Sequence, residues 1–359
     1  MCTSPLSASE LGLAGVGHQP GEANAITDVT GVRVGHVTLV EGSDIRTGVT
    51  AIVPDGVDRA GGQLPAGLFV GNGFGKLVGA TQLVELGVIE TPIVLTGTLS
   101  AFRAADALVS YMLGLPGNER MITVNPVVGE TNDGYLSDIR ARPITERHVL
   151  AALTGARGGP VPQGCVGAGT GTAALGFKAG IGSASRLARL ADGSTATVGV
   201  LVQANFSGTL TVLGVRIDPR EALAASRGGP RETGRDQPEG NSCMIILATD
   251  RALDSRQLTR VAKRAVYAMG LVGADFAAGS GDYAIAFSTG HGQPVTDTAL
   301  GPLFAATLEA VGEALLNSVV MATTTTGYLG HIRYAVPIDF VLRAASRGTG
   351  WASRQGSLG

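Results

Sequence analysis

The sequence predicts an α/β protein whose strands and helices segregate into α+β layers, and three observations carry that reading. Short β-branched runs punctuated by glycine recur from Ile26 onward, as in ITDVTGVRVGHVTL and TGVTAIVPDG; this is how strands joined by tight turns read. Two later segments, around 258–269 and 303–321, repeat apolar residues at helical spacing. The two kinds of segment do not alternate regularly, which disfavours a doubly wound parallel sheet.

Residues 1–25 read as a small-residue arm. PIVLTG (92–97) is a short apolar run, and the spacing predicts a helix over 101–114. A shorter helix is predicted over 145–153, with Thr145 as its cap before Glu146 and Arg147. TVGVLVQANFSGTLTVLGVR (197–216) reads as two apolar strands bent into a hairpin at 205–208, where Asn and Gly suit the bend. Residues 226–241 then contain no apolar residue, which predicts an exposed, mobile loop. Ser242 follows at once and leads CMIILAT, a buried type of strand. After Asp250, Leu258, Val261, Ala262, Ala265, Val266 and Met269 mark one helix face, with Arg260, Lys263 and Arg264 on the other. Residues 283–289 read as a strand, 303–321 as a second amphipathic helix, 332–342 as a closing strand-like run, and RGTGWASRQGSLG as a loose tail.

With 359 residues and 44% hydrophobic content, the chain can bury a large core. Its 27 basic and 29 acidic residues leave a formal net charge of -2, so no basic surplus points to nucleic acid or an anionic membrane. Cys2, Cys165 and Cys243 form no CxxC pair, and the five histidines show no HxxxH or HExxH spacing. Neither a disulfide framework nor a metal site is expected. No secretory signal or membrane-spanning run is read near the N-terminus or elsewhere, so a cytoplasmic location is expected.

Five segments carry chemistry. At EGN–SCMIILATD a polar loop runs straight into a buried strand headed by Ser242. Cleavage between Asn241 and Ser242 would give Ser242 both a hydroxyl and a free α-amine. Such an amine has a pKa near ~8 and can act as a base without a histidine. From the junction alone, an ordinary turn serine before a strand is the commoner case. In AAGSGDYAIAFST, Asp282 can hold Ser280, which can relay a proton; a plain Gly-Asp turn fits as well. Asn205 can donate to an oxyanion or serve only as a residue that tolerates a left-handed bend. In VVGETNDGYLSDIR, Glu130 can bind an ammonium and Tyr135 can support a reacting carbonyl, unless the cluster is a surface turn. GAGTGT (167–172) resembles a dinucleotide fingerprint only loosely and lacks a clear βαβ context; it reads as tight glycine packing. Lys178 and Arg186 beyond it are candidates for structural ion pairs.

Taken together, NAITDV, RTGVTAI, GNGFGK, ETPIVLTGTLS, NPVVGETNDGYL, GAGTGT, LVQANF, GNSCMIILATD and GSGDYAIAFST resemble, in one order, the P1 family of self-processing peptidases. That family includes β-peptidyl aminopeptidases and enzymes of the L-aminopeptidase/D-amidase/D-esterase type. The resemblance implies a single four-layer αββα sandwich resembling that of N-terminal-nucleophile (Ntn) hydrolases. It implies autoprocessing into fragments 1–241 and 242–359 that stay associated, often in a homotetramer. It implies Ser242 as nucleophile, Ser280 and Asp282 as its partners and Asn205 as oxyanion donor. Glu130 and Tyr135 become substrate-binding residues. The substrates implied are short peptides, amides or esters with a free amino terminus, and no cofactor is implied. In TGTLS, Gly97 stands where relatives often have Asn, a difference expected in the pocket wall. An acyltransferase of similar self-processing architecture and a nucleotide-binding protein built on residues 167–172 are the rival readings.

Overall fold

The computed structural model describes residues 5–15, 17–57, 61–226 and 241–355, with side chains described as far as residue 347. Ten strands make two sheets: β1 (Val32–Glu41), β2 (Ile45–Pro54), β3 (Leu64–Gly73), β4 (Val88–Ile89), β5 (Ile93–Gly97), β6 (Val127–Thr131), β7 (Ile181–Arg189), β8 (Thr195–Asn205), β9 (Ser242–Thr249) and β10 (Gly281–Ser288). One sheet has the order β1-β2-β5-β6, the other β4-β3-β10-β9-β8-β7. The pairings are antiparallel except β5 with β6 and β9 with β10. Each parallel pair is bridged by a helix, α1 (Ala101–Leu113) in the first case and α3 (Ser255–Leu271) in the second. Parallel neighbours need such a crossover.

The sheets pack face to face. Leu201, Met244, Ile246, Ile285 and Phe287 from one meet Ile52, Ile93, Leu95 and Val127 from the other. The alternate residues point outward, as a two-residue strand period requires. Val200, Val202, Cys243, Ile245, Ala284 and Ala286 pack under α3 and α4 (Gly301–Val320). Val49, Ala51, Val94 and Val128 pack under α1 and α2 (Glu146–Thr154). The result is a four-layer αββα sandwich. Because both faces of each sheet are covered, strands such as SCMIILAT are apolar throughout rather than alternating. Helix α4 has the length and hydropathy of a membrane span, but 72% of that stretch is buried inside the protein. It is a core helix and less amphipathic than its spacing suggests.

Three sequence expectations need correction. Residues 197–216 are not a hairpin. β8 runs straight to Asn205 and pairs with β7 and β9, while 211–212 and 215–216 form a separate two-residue ladder. Asn205 is also absent from the left-handed φ region, so bend tolerance does not explain it. Residues 332–342 are mostly not strand: only Ile332–Arg333 is extended, and a helix α5 (Ile338–Gln355) begins shortly after. That helix runs into the segment read as a loose tail, of which 356–359 lie outside the described residues. The predicted loop 226–241 also lies outside them apart from Ser226 and Asn241. The helix at 145–153 is present, with Thr145 at its N-cap and the His148 ring accepting from the Thr145 amide at 3.1 Å.

Candidate active site

Ser242 is the first residue of β9 and lies directly across from Asn205, the last residue of β8. Both belong to the rows that face the opposing sheet. Residues opposed in this way have Cβ atoms about 5 Å apart. They sit at the open end of the sandwich, on the wall of a pocket of about 580 Å³ that Glu130, Tyr135 and Asn241 also line. Five of the predicted site residues are therefore gathered round one cavity from segments far apart in the chain.

The Ser242 hydroxyl donates to the carbonyl oxygen of Asn241, the acyl group whose bond precedes it. The Asn205 amide is fixed at both ends: Oδ1 accepts the Ala173 N–H at 3.1 Å, and Nδ2 donates to the Asn132 carbonyl at 3.0 Å. An amide nitrogen has two hydrogens, so one remains for a ligand in the pocket. Glu130, near the end of β6, is almost completely buried. It accepts the Lys76 backbone N–H at 2.9 Å and the Thr98 hydroxyl.

Ser280 and Asp282 lie outside the lining of this pocket. Asp282 is the register partner of Cys243 in the parallel β9–β10 pair and shares the helix-facing side with it. The Ser280 hydroxyl donates to Asp282 Oδ1 at 2.7 Å, so the short aspartate does reach its serine. Parallel strands start at the same edge, which puts Ser280 beside the head of β9. Sequence reasoning missed Asn72, whose side-chain amide donates to the carbonyls of Ala277, Ala278 and Ser280 and so ties down the loop before β10. Its signal was the GNGFGK segment, noticed without a role.

Burial pushes the Asp282 carboxyl up to about 6, against the Ser280 hydrogen bond, which lowers it; the Asp275 charge adds to the rise. The ordinary value is 3.8, so the folded protein holds this proton more tightly than the unfolded chain. The associated stability is complete below about pH 4 and is lost as pH rises through 6. The unfolding free energy of wild type relative to Asp282→Asn should therefore fall by on the order of 2 kcal/mol across that window and level off above it. Denaturant unfolding at stepped pH measures this, and a flat difference contradicts it. Asp133, also fully enclosed, is likewise raised to about 6. Burial is the main cause; the Thr47 hydrogen bond opposes it and the Glu130 charge adds to it.

Tyr135 stacks on His331, with ring centroids 4.4 Å apart and 5° between planes, and the Arg333 guanidinium lies 4.2 Å from the same ring. His331 and Arg333 also line the pocket. Their signal in the sequence was weak: two polar residues at i and i+2, only the second of them within the segment 332–342 read as strand. The expected effect of Gly97 on the pocket wall is corrected. Gly97 is not among the lining residues, and a Cβ there would come within 2.7 Å of the Asp133 carboxylate. GAGTGT shows no strand-to-helix turn. Residues 167–169 form a single buried turn of 3-10 helix, and a Cβ on Gly171 would meet the Arg46 carbonyl at 2.0 Å. Gly169 and Gly171 pack against neighbouring backbone, and Gly167 against the Thr50 and His36 side chains. Arg186 does form a buried ion pair, with Glu313, whereas Lys178 donates to the Gly169 and Ala179 carbonyls instead.

A family model described as peptidase family S58 matches residues 24–333. The beta-peptidyl aminopeptidase BapA of Sphingosinicella xenopeptidilytica is 38% identical over 94% of this chain and 90% of its own length. The solved structure of a Burkholderia sp. beta-aminopeptidase is similar at 37% identity and TM-score 0.81, covering 96% of this chain and 99% of that one. The l-aminopeptidase d-ala-esterase/amidase of Ochrobactrum anthropi is similar at 32% identity and TM-score 0.83 with the same coverage. That protein is described as a prototype for the serine aminopeptidases and as a variant of the Ntn hydrolase fold. The αββα sandwich seen here is of that kind.

Proposed function

The chain belongs to peptidase family S58, and from that premise we propose that it is a self-activating serine aminopeptidase with Ser242 as nucleophile. The observation that carries the reading is the meeting of Ser242, Asn205 and Glu130 on one pocket from three separate strands.

Activation begins when Ser242 Oγ attacks the Asn241 carbonyl carbon. The amide becomes an ester, the Ser242 amine is released, and water opens the ester. The cut leaves fragments 1–241 and 242–359. β9 sits between β8 of the first fragment and β10 of its own, and β10 pairs with β3 of the first. The sheet ladder therefore holds the two together, and assembly as a homotetramer belongs to the same proposal.

In turnover the freed amine takes the Ser242 hydroxyl proton. The oxygen attacks the carbonyl of a substrate whose ammonium rests on Glu130. Asn205 Nδ2 donates to the developing oxyanion, with Ser280, held by Asp282, ordering the proton at the amine. Tyr135 forms a wall of the acyl pocket. The leaving amine departs with that proton, and water then opens the acyl-enzyme. The acyl residue is a β-amino acid by preference, in line with the two β-aminopeptidase relatives. A panel of β-, L-α- and D-α-aminoacyl anilides tests this. β-Alanyl anilide should be cleaved with a higher kcat/KM than the L-α- and D-α-aminoacyl anilides, and cleavage of only α-aminoacyl anilides would contradict it.

A further inference from the structure

The seat proposed for the substrate ammonium is occupied by one of the protein's own. Lys76 Nζ lies 3.6 Å from Glu130 Oε1. The Glu130 side chain is 2% exposed and that of Lys76 is 42% exposed. A half-exposed ammonium at this distance is held weakly. The backbone N–H of Lys76 and the Thr98 hydroxyl fix the carboxylate independently. An incoming ammonium therefore displaces the lysine head without disturbing Glu130, and Lys76 is left facing the pocket with its charge uncompensated.

The rest of the wall does not relieve it. Besides the Tyr135 phenol, the charged or chargeable side chains lining the pocket are Lys76, Arg333, His331 and Glu130, and the buried Asp133 is not among them. A substrate that brings only an ammonium exchanges one cation for another on the one carboxylate side chain of the lining, while processing adds one acidic and one basic group to the wall, the Asn241 α-carboxylate and the Ser242 α-amine. A substrate that carries an ammonium and a carboxylate on one carbon satisfies Glu130 and Lys76 together, head to tail.

We propose that Lys76 and Glu130 read a zwitterionic amino-acid head group, so that the acyl residue is an α-amino acid joined through its side-chain carboxyl, as in a β-aspartyl peptide. This rests on Glu130 as the amine seat. The β-aspartyl group has the same spacing from amine to reacting carbonyl as β-alanyl and adds one carboxylate at the amine-bearing carbon. Lys76 is then a specificity-determining residue for the reaction at Ser242.

The test compares β-aspartyl and β-alanyl amides with the same leaving group on the processed enzyme. The expected wild-type kcat/KM is roughly ten- to hundredfold higher for β-aspartyl, the size of one charge-assisted hydrogen bond. In Lys76→Met the β-aspartyl KM rises by a similar factor and the β-alanyl KM falls, because the competing ammonium is gone. Lys76→Arg restores the preference in part. A wild-type enzyme that cleaves β-alanyl but not β-aspartyl amide overturns this proposal alone, as does Lys76→Met slowing both substrates equally. Cleavage of neither substrate overturns the aminopeptidase reading with it.

Discussion

Ser242→Ala stays a single full-length chain and hydrolyses aminoacyl amides more slowly by roughly 10⁴-fold or more. Both losses follow from one atom. In the proposed mechanism Oγ is the nucleophile toward Asn241 in processing and toward substrate in turnover, and an uncut chain also lacks the α-amine base. The substitution removes from an enclosed strand residue one hydroxyl, whose hydrogen bond among the described residues is to its neighbour's carbonyl. The fold should hold within about 1 kcal/mol, so the loss is chemical. Gel analysis of the denatured variant, a thermal melt and an anilide assay measure the three quantities. Retained activity in an intact, folded variant contradicts the role of Ser242.

Asn205→Ala should lower kcat by roughly 10²–10³-fold and slow processing as well, since the same oxyanion forms at Asn241. KM should change less. Asn205 also ties Ala173 to Asn132, so the variant should lose about 1–3 kcal/mol of stability from the orphaned buried groups. The split between kcat and KM, read alongside a melt, separates the two roles. A variant that melts lower but keeps its kcat places Asn205 in the scaffold alone.

Much of this site is legible in the sequence. Ser242 stands out because a segment without one apolar residue meets a strand whose next six residues, CMIILA, are all apolar. Ser280 and Asp282 stood two apart beside glycine, and the contact between them is present. Periodicity located α1 and α3 and a capping signal located α2; each packs its apolar stripe on one of the two sheets.

The errors came where local pattern competes with long-range pairing. Residues 197–216 looked like a hairpin because two apolar runs flank Asn and Gly. In the fold β8 finds its partners in β7 and β9, and its last residue opposes the nucleophile. Residues 332–342 were read as strand although Ile338, Val341, Leu342 and Ala345 stand at i, i+3, i+4 and i+7 just after Pro337, a helical spacing with a helix-start signal. Asn72, Lys76, His331 and Arg333 carry only weak local signatures. They matter through what they touch, and those contacts join residues more than 50 positions apart in the chain.

The most direct test is the N-terminal sequence of the smaller species in active, purified protein run under denaturing conditions. Two species, the smaller beginning Ser-Cys-Met-Ile, are the expected result. A single full-length chain that still hydrolyses aminoacyl amides would contradict the account at its centre.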